Sequence, residues 1–233
     1  MNKNYKIYII HYSKLVDRKK YIESLFKNLN IEYEYIESFD KEELTEENIS
    51  NFYDNNEKIH NEKIKLWGKR SKDYYKLTSP EISVSIKHLE ALKKIENNEY
   101  EFGIILEDDV IPEYKNFKLE IENLIKSYKK WDVLFVGEGM GKSYRNSKIG
   151  IRRLIPFKKI FKMEHPATNC LEAYIIKKSS VNKILEDLIP INLVIDWELA
   201  HQFFIKNLNI YWSKKILFNQ GSKNNIYKSE LRE

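Results

Sequence analysis

Three acids in a row, Glu107, Asp108 and Asp109, stand between two apolar runs in the stretch FGIILEDDVIP, residues 102 to 112. Charge is costly beside a core, so the triplet either marks a solvated turn at the end of a strand or holds a cation and whatever the cation holds. Carboxylate oxygens are hard ligands suited to magnesium or manganese, which reach proteins through one or two carboxylates and complete their shell with phosphate oxygens. Along an extended chain alternate side chains point to opposite faces, so Glu107 and Asp109 share one side while Asp108 takes the other. At least one of the three is therefore expected to serve the loop rather than a metal.

The elements that must position these acids read as a strand-helix alternation. YKIYII (5 to 10) is a short buried strand, residues 17 to 29 carry Ile22, Leu25, Phe26 and Leu29 at helical spacing, and IEYEYIESF (31 to 39) alternates with period two. This βαβ opening argues for a parallel sheet with helices packed on it. Residues 40 to 75 are polar and aromatic, an excursion over the sheet edge. TSPE then starts a helix, with Thr78 or Ser79 as N-cap, Pro80 in the first turn and Glu81 completing a capping box, followed by the stripe Ile82, Ile86, Leu89, Leu92 and Ile95. The strand FGIIL delivers the acids to its carboxyl end, where open α/β sheets bind ligands. A helix over 116 to 130, strands over 131 to 137 and 170 to 178, a helix capped by Ser179 or Ser180, a helix turning at Asp196, and IYWSKKILFNQGS complete the pattern. No linker or repeat divides the chain, so 1 to 233 is expected to be a single domain.

A hydrophobic content of 42% with 13% aromatic residues suffices for a real core. The net charge of +5 comes from 40 basic against 35 acidic residues, a mixed surface that points away from nucleic acid. Basic residues thicken at 150 to 162 and near the C-terminal end, where an anionic membrane surface or a phosphorylated substrate would be favoured. Cys170 is the single cysteine, which excludes an intrachain disulfide and a cysteine-based zinc site. The first residues, MNKNYKIYIIHYSK, hold an apolar run of about six, too short for a leader or a span. The expected location is cytoplasmic, with peripheral contact at the inner face of the membrane.

Taken in order, IYIIHYSKLVDRKKYIESLF, SPEISVSIKHLEALKKI, GIILEDDV, WDVLFVG, EAYIIKKSSVNKIL, IDWEL and NQGS resemble the successive motifs of glycosyltransferase family 25, which includes lipooligosaccharide glycosyltransferases and is related to collagen galactosyltransferase domains. The resemblance implies a GT-A-like, Rossmann-like α/β fold with a mixed sheet flanked by helices. It implies a UDP-sugar donor, most often UDP-galactose, a glycan or glycolipid acceptor, and Mn2+ or Mg2+ held by the acidic motif through Asp109 and Glu107. Donor-binding roles are implied for Asp17 and Arg18, for Glu81 and His88 on one helical face, and for Glu107 and Asp108, and Lys87 is expected in the same donor pocket. Arg18 offers a fork for donor phosphate, while Asp17 also reads as a helix cap. The chain departs from the family with His11-Tyr12 after the first strand, with Ser83-Val84, and with Lys87 in place of a small hydroxyl, which alters the donor pocket.

Such enzymes resemble inverting transferases, which need a base for the acceptor hydroxyl. Asp196 and Glu198 in IDWEL are the candidates, and Asp196 also reads as a cap. Glu198 and His201 share a helical face, but a di-iron site needs a second such pair, and none is present. His165 could reach acceptor or diphosphate from a loop. Trp67, Tyr74 and Tyr75 offer faces to an acceptor sugar, or belong to the core. The rivals are a non-catalytic glycan- or nucleotide-binding protein, against which the intact triplet argues, and a magnesium-dependent phosphohydrolase, against which the absence of Asp-x-Asp after the first strand argues.

Overall fold

The computed structural model describes residues 4–27, 29–70, 76–126, 130–139, 159–164 and 170–229. The expectations for Tyr74, Tyr75 and His165, and most of the basic stretch 150–162, lie outside the described residues. In chain order the elements are β1 (Tyr5–Ile10), α1 (Val16–Phe26), β2 (Tyr33–Ile36), α2 (Glu46–Phe52), α3 (Glu57–Ile64), a 3-10 helix (Lys65–Arg70), α4 (Ser79–Glu96), β3 (Phe102–Glu107), β4 (Val110–Pro112), α5 (Phe117–Lys126), β5 (Val133–Phe135), β6 (Ile160–Lys162), β7 (Ala173–Lys177), α6 (Lys178–Leu185), α7 (Ile195–Ile205), β8 (Ile210–Ser213) and β9 (Phe218–Gln220).

Seven strands form one sheet in the order β2-β1-β3-β7-β5-β8-β6. The βαβ opening is parallel as expected, and β3 lies parallel to β1 with Ile10 opposite Glu107. From there the sheet turns mixed: β7 runs antiparallel to both β3 and β5, β8 is parallel to β5, and β6 is antiparallel to β8. Because β7 runs against β3, its first residues lie beside the end of β3, and Glu107 N donates to Glu172 O at 2.9 Å. A separate two-stranded sheet pairs β4 with β9 and sets Val110 opposite Gln220.

Alternating side chains feed two cores. Tyr8, Ile105, Phe135 and Tyr174 point to the face covered by α4, α6 and α7, whereas Ile7, Ile9, Ile104 and Leu134 meet Ile22 and Phe26 of α1 and Ile121 of α5. The stripe Ile82, Ile86, Leu89, Leu92 and Ile95 on α4 is buried as its spacing requires. The capping box is present, with Glu81 Oε2 accepting from Thr78 N at 2.9 Å. Helix α4 sits so close to the sheet at Gly103 that an added Cβ would stand 2.1 Å from Ile95 Cδ1.

Some boundaries differ from the sequence reading. The second strand is confined to Tyr33–Ile36. Helix α6 has Lys177 as N-cap and no serine cap, because the chain passes straight from β7 into the helix. Ser180 Oγ instead donates to Asp132 Oδ1 at 2.9 Å. Helix α1 has Leu15 as N-cap and Asp17 in its first turn, and the N-cap of α7 is Val194. Among the described residues no helix is long and apolar enough to cross a membrane.

Candidate active site

The carboxyl ends of the parallel pair β1 and β3 open into a cleft of about 720 Å³, counted to its open mouth. All three acids line it, together with His11 and Arg18. Strand β3 stops at Glu107, so strict alternation ends there and Asp108 and Asp109 form a turn before β4.

Asp108 is locked into the floor. Its Oδ2 is 2.7 Å from His11 Nδ1, and its Oδ1 accepts from Arg18 Nη1 at 2.7 Å. Burial opposes its charge, yet His11 and Arg18 outweigh that penalty and hold the carboxyl below its usual range. Arg18 is itself buried, and its Nη2 donates to Lys228 O at 2.6 Å. Asp17 points elsewhere, with its side chain 97% exposed.

Asp109 and Glu107 are less fully engaged. Ser222 N donates to Asp109 Oδ2 at 3.1 Å, while Asp109 Oδ1 is buried without a hydrogen-bond partner. Gln220 Nε2 donates to Glu107 Oε2 at 3.3 Å. Burial raises both carboxyls above their ordinary range; at Glu107 the charges of Asp109, Asp108 and Asp196 add to it. Two neighbouring carboxylates that resist ionisation, one with an orphaned oxygen, suit a single divalent cation whose other ligands come from elsewhere. Among the described residues no group of three or more His, Cys, Asp or Glu side chains forms a complete cage.

Helix α4 presents Pro80, Ser83, Val84 and Lys87 to the cleft, while Glu81 and His88, expected to line it, are buried beside these residues. The Lys87 ammonium is buried and donates to His11 O and Asp40 Oδ1. Asp40 also accepts from Ser13 N at 3.2 Å. His88 is fully buried, 3.1 Å from the Tyr174 hydroxyl through Nδ1 and 3.8 Å from Glu107 Oε1 through Nε2. Burial holds its imidazole down to about 3, which keeps it neutral.

The two acids of IDWEL part company. The Glu198 carboxylate is fully buried and accepts from Lys63 Nζ at 2.6 Å, Asn192 N at 2.9 Å and Leu193 N at 3.1 Å, which ties α3 and the preceding loop to α7. Asp196 lies in the first turn of α7, where its Oδ1 accepts from Trp197 N at 3.0 Å. It is close enough to raise both Glu107 and the Cys170 thiol. Trp197 packs on Trp67 with ring centroids 4.6 Å apart.

Sequence reasoning missed Asp40, Glu172, Lys223 and the segment beyond Gln220. Glu172 is fully buried, accepts from Gly139 N at 2.5 Å and has Oε2 without a partner. Burial, then the nearby Glu107, push its carboxyl up to about 8. Lys223 Nζ reaches Gly139 O and lies 3.0 Å from Cys170 Sγ. The only signal for Glu172 was its place one residue ahead of an apolar strand, facing Glu107 once β7 is known to run antiparallel.

Fold and site together define an α/β protein with an acidic cleft at its strand ends. The family model described as Glycosyltransferase family 25 (LPS biosynthesis protein) matches residues 4–199, and the chain belongs to that family. It is therefore a glycosyltransferase by family. No curated protein matches. Similar solved structures include A197 from STIV, at 14% identity and TM-score 0.44 over 90% of this chain and 81% of that one. A Drosophila beta-1,4-galactosyltransferase 7 mutant in complex with manganese, UDP-Gal and xylobiose aligns at 7% identity and TM-score 0.41, over 99% and 76%. TarS 1-349 from S. aureus aligns at 14% identity and TM-score 0.40, over 97% and 63%.

Proposed function

We propose that this chain transfers a sugar, galactose foremost, from a UDP-sugar to a hydroxyl of a glycan or glycolipid, lipooligosaccharide foremost, with inversion and with Mn2+ or Mg2+. A lipid-linked acceptor would put its work at the cytoplasmic face of a membrane. The observation that carries the reading is the division of labour among the acids: both oxygens of Asp108 are taken, by His11 and Arg18, which leaves Glu107 and Asp109, with its unpartnered Oδ1, to hold a cation. A cation held by Glu107 and Asp109 would supply charge neutralisation for a departing diphosphate.

The chain's own groups do the rest. Arg18 and Lys87 bring positive charge to the cleft wall, and the apolar Ile10, Leu15 and Val84 give a nucleoside a surface to lie on. Asp196 takes the proton of the acceptor hydroxyl as that oxygen bonds to the anomeric carbon; the bond from that carbon to the diphosphate breaks, and its electron pair leaves with UDP. The half-buried rings of Trp67 and Trp197, beside Asp196, offer a face for the acceptor sugar. Glu198 holds α7 in place instead of reacting.

The test is calorimetry of UDP, UDP-galactose, UDP-glucose and UDP-N-acetylglucosamine with Mn2+ and with EDTA, on the wild type and on Asp109→Ala. Metal-dependent binding lost in Asp109→Ala is expected, with UDP-galactose the tightest sugar donor. A well-folded wild type that binds none of the four overturns the reading.

A further inference from the structure

Beyond β9 the chain folds back over the acidic end of the cleft. Gly221 N donates to Asp109 O at 2.7 Å, and Ser222 N takes Asp109 Oδ2. The segment then closes on itself, with Ile226 N and Tyr227 N donating to Gly221 O at 2.9 and 3.2 Å. This turn lays the Tyr227 ring against Gly221 so tightly that an added Cβ would stand 2.5 Å from Tyr227 Cδ2 and 2.8 Å from Asp109 O. The ring's face meets Arg18, whose guanidinium carbon is 5.1 Å from the ring centroid. Lys228 O caps the same guanidinium from 210 residues away in the chain.

Tyr227 belongs to neither hydrophobic core. Its packing is directed at site residues: Gly221, which holds Asp109, and Arg18, which holds Asp108. We infer that Tyr227 is a positioning residue of the donor site, acting through Arg18 on Asp108 and through the Gly221–Ser222 turn on Asp109. With Oδ2 taken by Ser222, the turn leaves Asp109 Oδ1 as the oxygen presented to a cation and its nucleoside diphosphate. This role rests on the nucleotide-sugar reading. It lies outside the stretch matched to the family, which ends at residue 199.

The experiment titrates UDP in the presence of Mn2+, and Mn2+ alone, into wild type, Tyr227→Ala, Tyr227→Phe and Gly221→Ala, with a thermal melt of each. Loss of one cation–π contact predicts roughly five- to tenfold weaker UDP binding in Tyr227→Ala. Its melting point should stay within about 3 °C of wild type. Tyr227→Phe, which keeps the ring, should bind as wild type, and Gly221→Ala should weaken Mn2+ binding. Should Tyr227→Ala fail to fold, Tyr227→Leu keeps the bulk without the π face and should show the same loss. Wild-type affinity in Tyr227→Ala or Tyr227→Leu, or an equal loss in Tyr227→Phe, overturns the positioning role and leaves the transferase reading intact. A folded wild type that binds no UDP overturns both.

Discussion

His11 Nδ1 stands 2.7 Å from Asp108 Oδ2 although 97 residues separate them, because β1 and β3 run parallel in a register that sets Ile10 opposite Glu107. Arg18 completes a buried charge cluster on the other oxygen of the same carboxylate, with side-chain exposures of 11% and 9% for the pair. Removing Arg18 leaves Asp108 with His11 as its remaining ionisable partner. Arg18→Ala is expected to cost about 3 kcal/mol, and adding Asp108→Asn should recover part of it. Urea unfolding of the wild type, the two single variants and the double variant measures the coupling; strictly additive losses would contradict it.

Glu172 gives a pH signature. Burial first, then Glu107, raise its carboxyl to about 8 from an ordinary 4.5, against the pull of Gly139 N and Lys223. Between those values the folded chain keeps a proton that the unfolded chain has lost, so stability falls as pH rises through the window. Glu172→Gln cannot titrate and still accepts from Gly139 N. Its stability difference between about pH 5 and about pH 8.5 should be smaller than wild type's by at least ~1 kcal/mol. Denaturant midpoints at the two pH values decide it, and parallel curves would refute the assignment.

At Gly103 a side chain has no room, because a Cβ would overlap Ile95 Cδ1 and Cγ1 at 2.1 and 2.4 Å. Gly103→Ala is expected to destabilise by about 1–3 kcal/mol by lifting α4 from β3. Truncating the opposing side chain in Gly103→Ala/Ile95→Ala should cost less than the sum of the two single changes. Chemical denaturation of all three variants measures this, and full additivity would show that α4 is not seated by that contact.

Much of the fold was legible because its signals are local. The Thr78–Glu81 capping box, the apolar stripe of α4 and the acids at the end of β3 all lie within windows of a few residues and were found where expected. Pairings between distant segments were not legible. Nothing near β7 says that it runs antiparallel between β3 and β5, so the approach of Glu172 to Glu107 could not be read. Asp40 became part of the site because Lys87, a departure visible in the sequence, finds its buried counter-ion there. Tyr227 looks like any tyrosine near a chain end until Arg18 is seen beneath it. The partners of the polar face of α4 were hidden for a related reason: Glu81 serves the helix's own first turn, and His88 is buried between Tyr174 and Glu107.

The sharpest separation concerns the two acids of IDWEL, two residues apart and alike in sequence. Glu198 has three donors and no exposure, and Lys63 is its ionic partner at 2.6 Å. Glu198→Gln leaves that ammonium without its counter-charge and should cost about 3 kcal/mol of stability. Turnover per folded molecule should change little, since none of its bonds faces the cleft. Asp196→Asn keeps an oxygen for Trp197 N and should melt near wild type, yet it removes the proposed base. A hundred- to ten-thousandfold fall in kcat, of the order that general-base loss produces, is expected with a UDP-sugar donor. Melting points alongside turnover distinguish the two roles. If Glu198→Gln melts normally but is inactive while Asp196→Asn turns over as wild type, the roles are reversed, and the proton must leave the acceptor by way of α7's second acid.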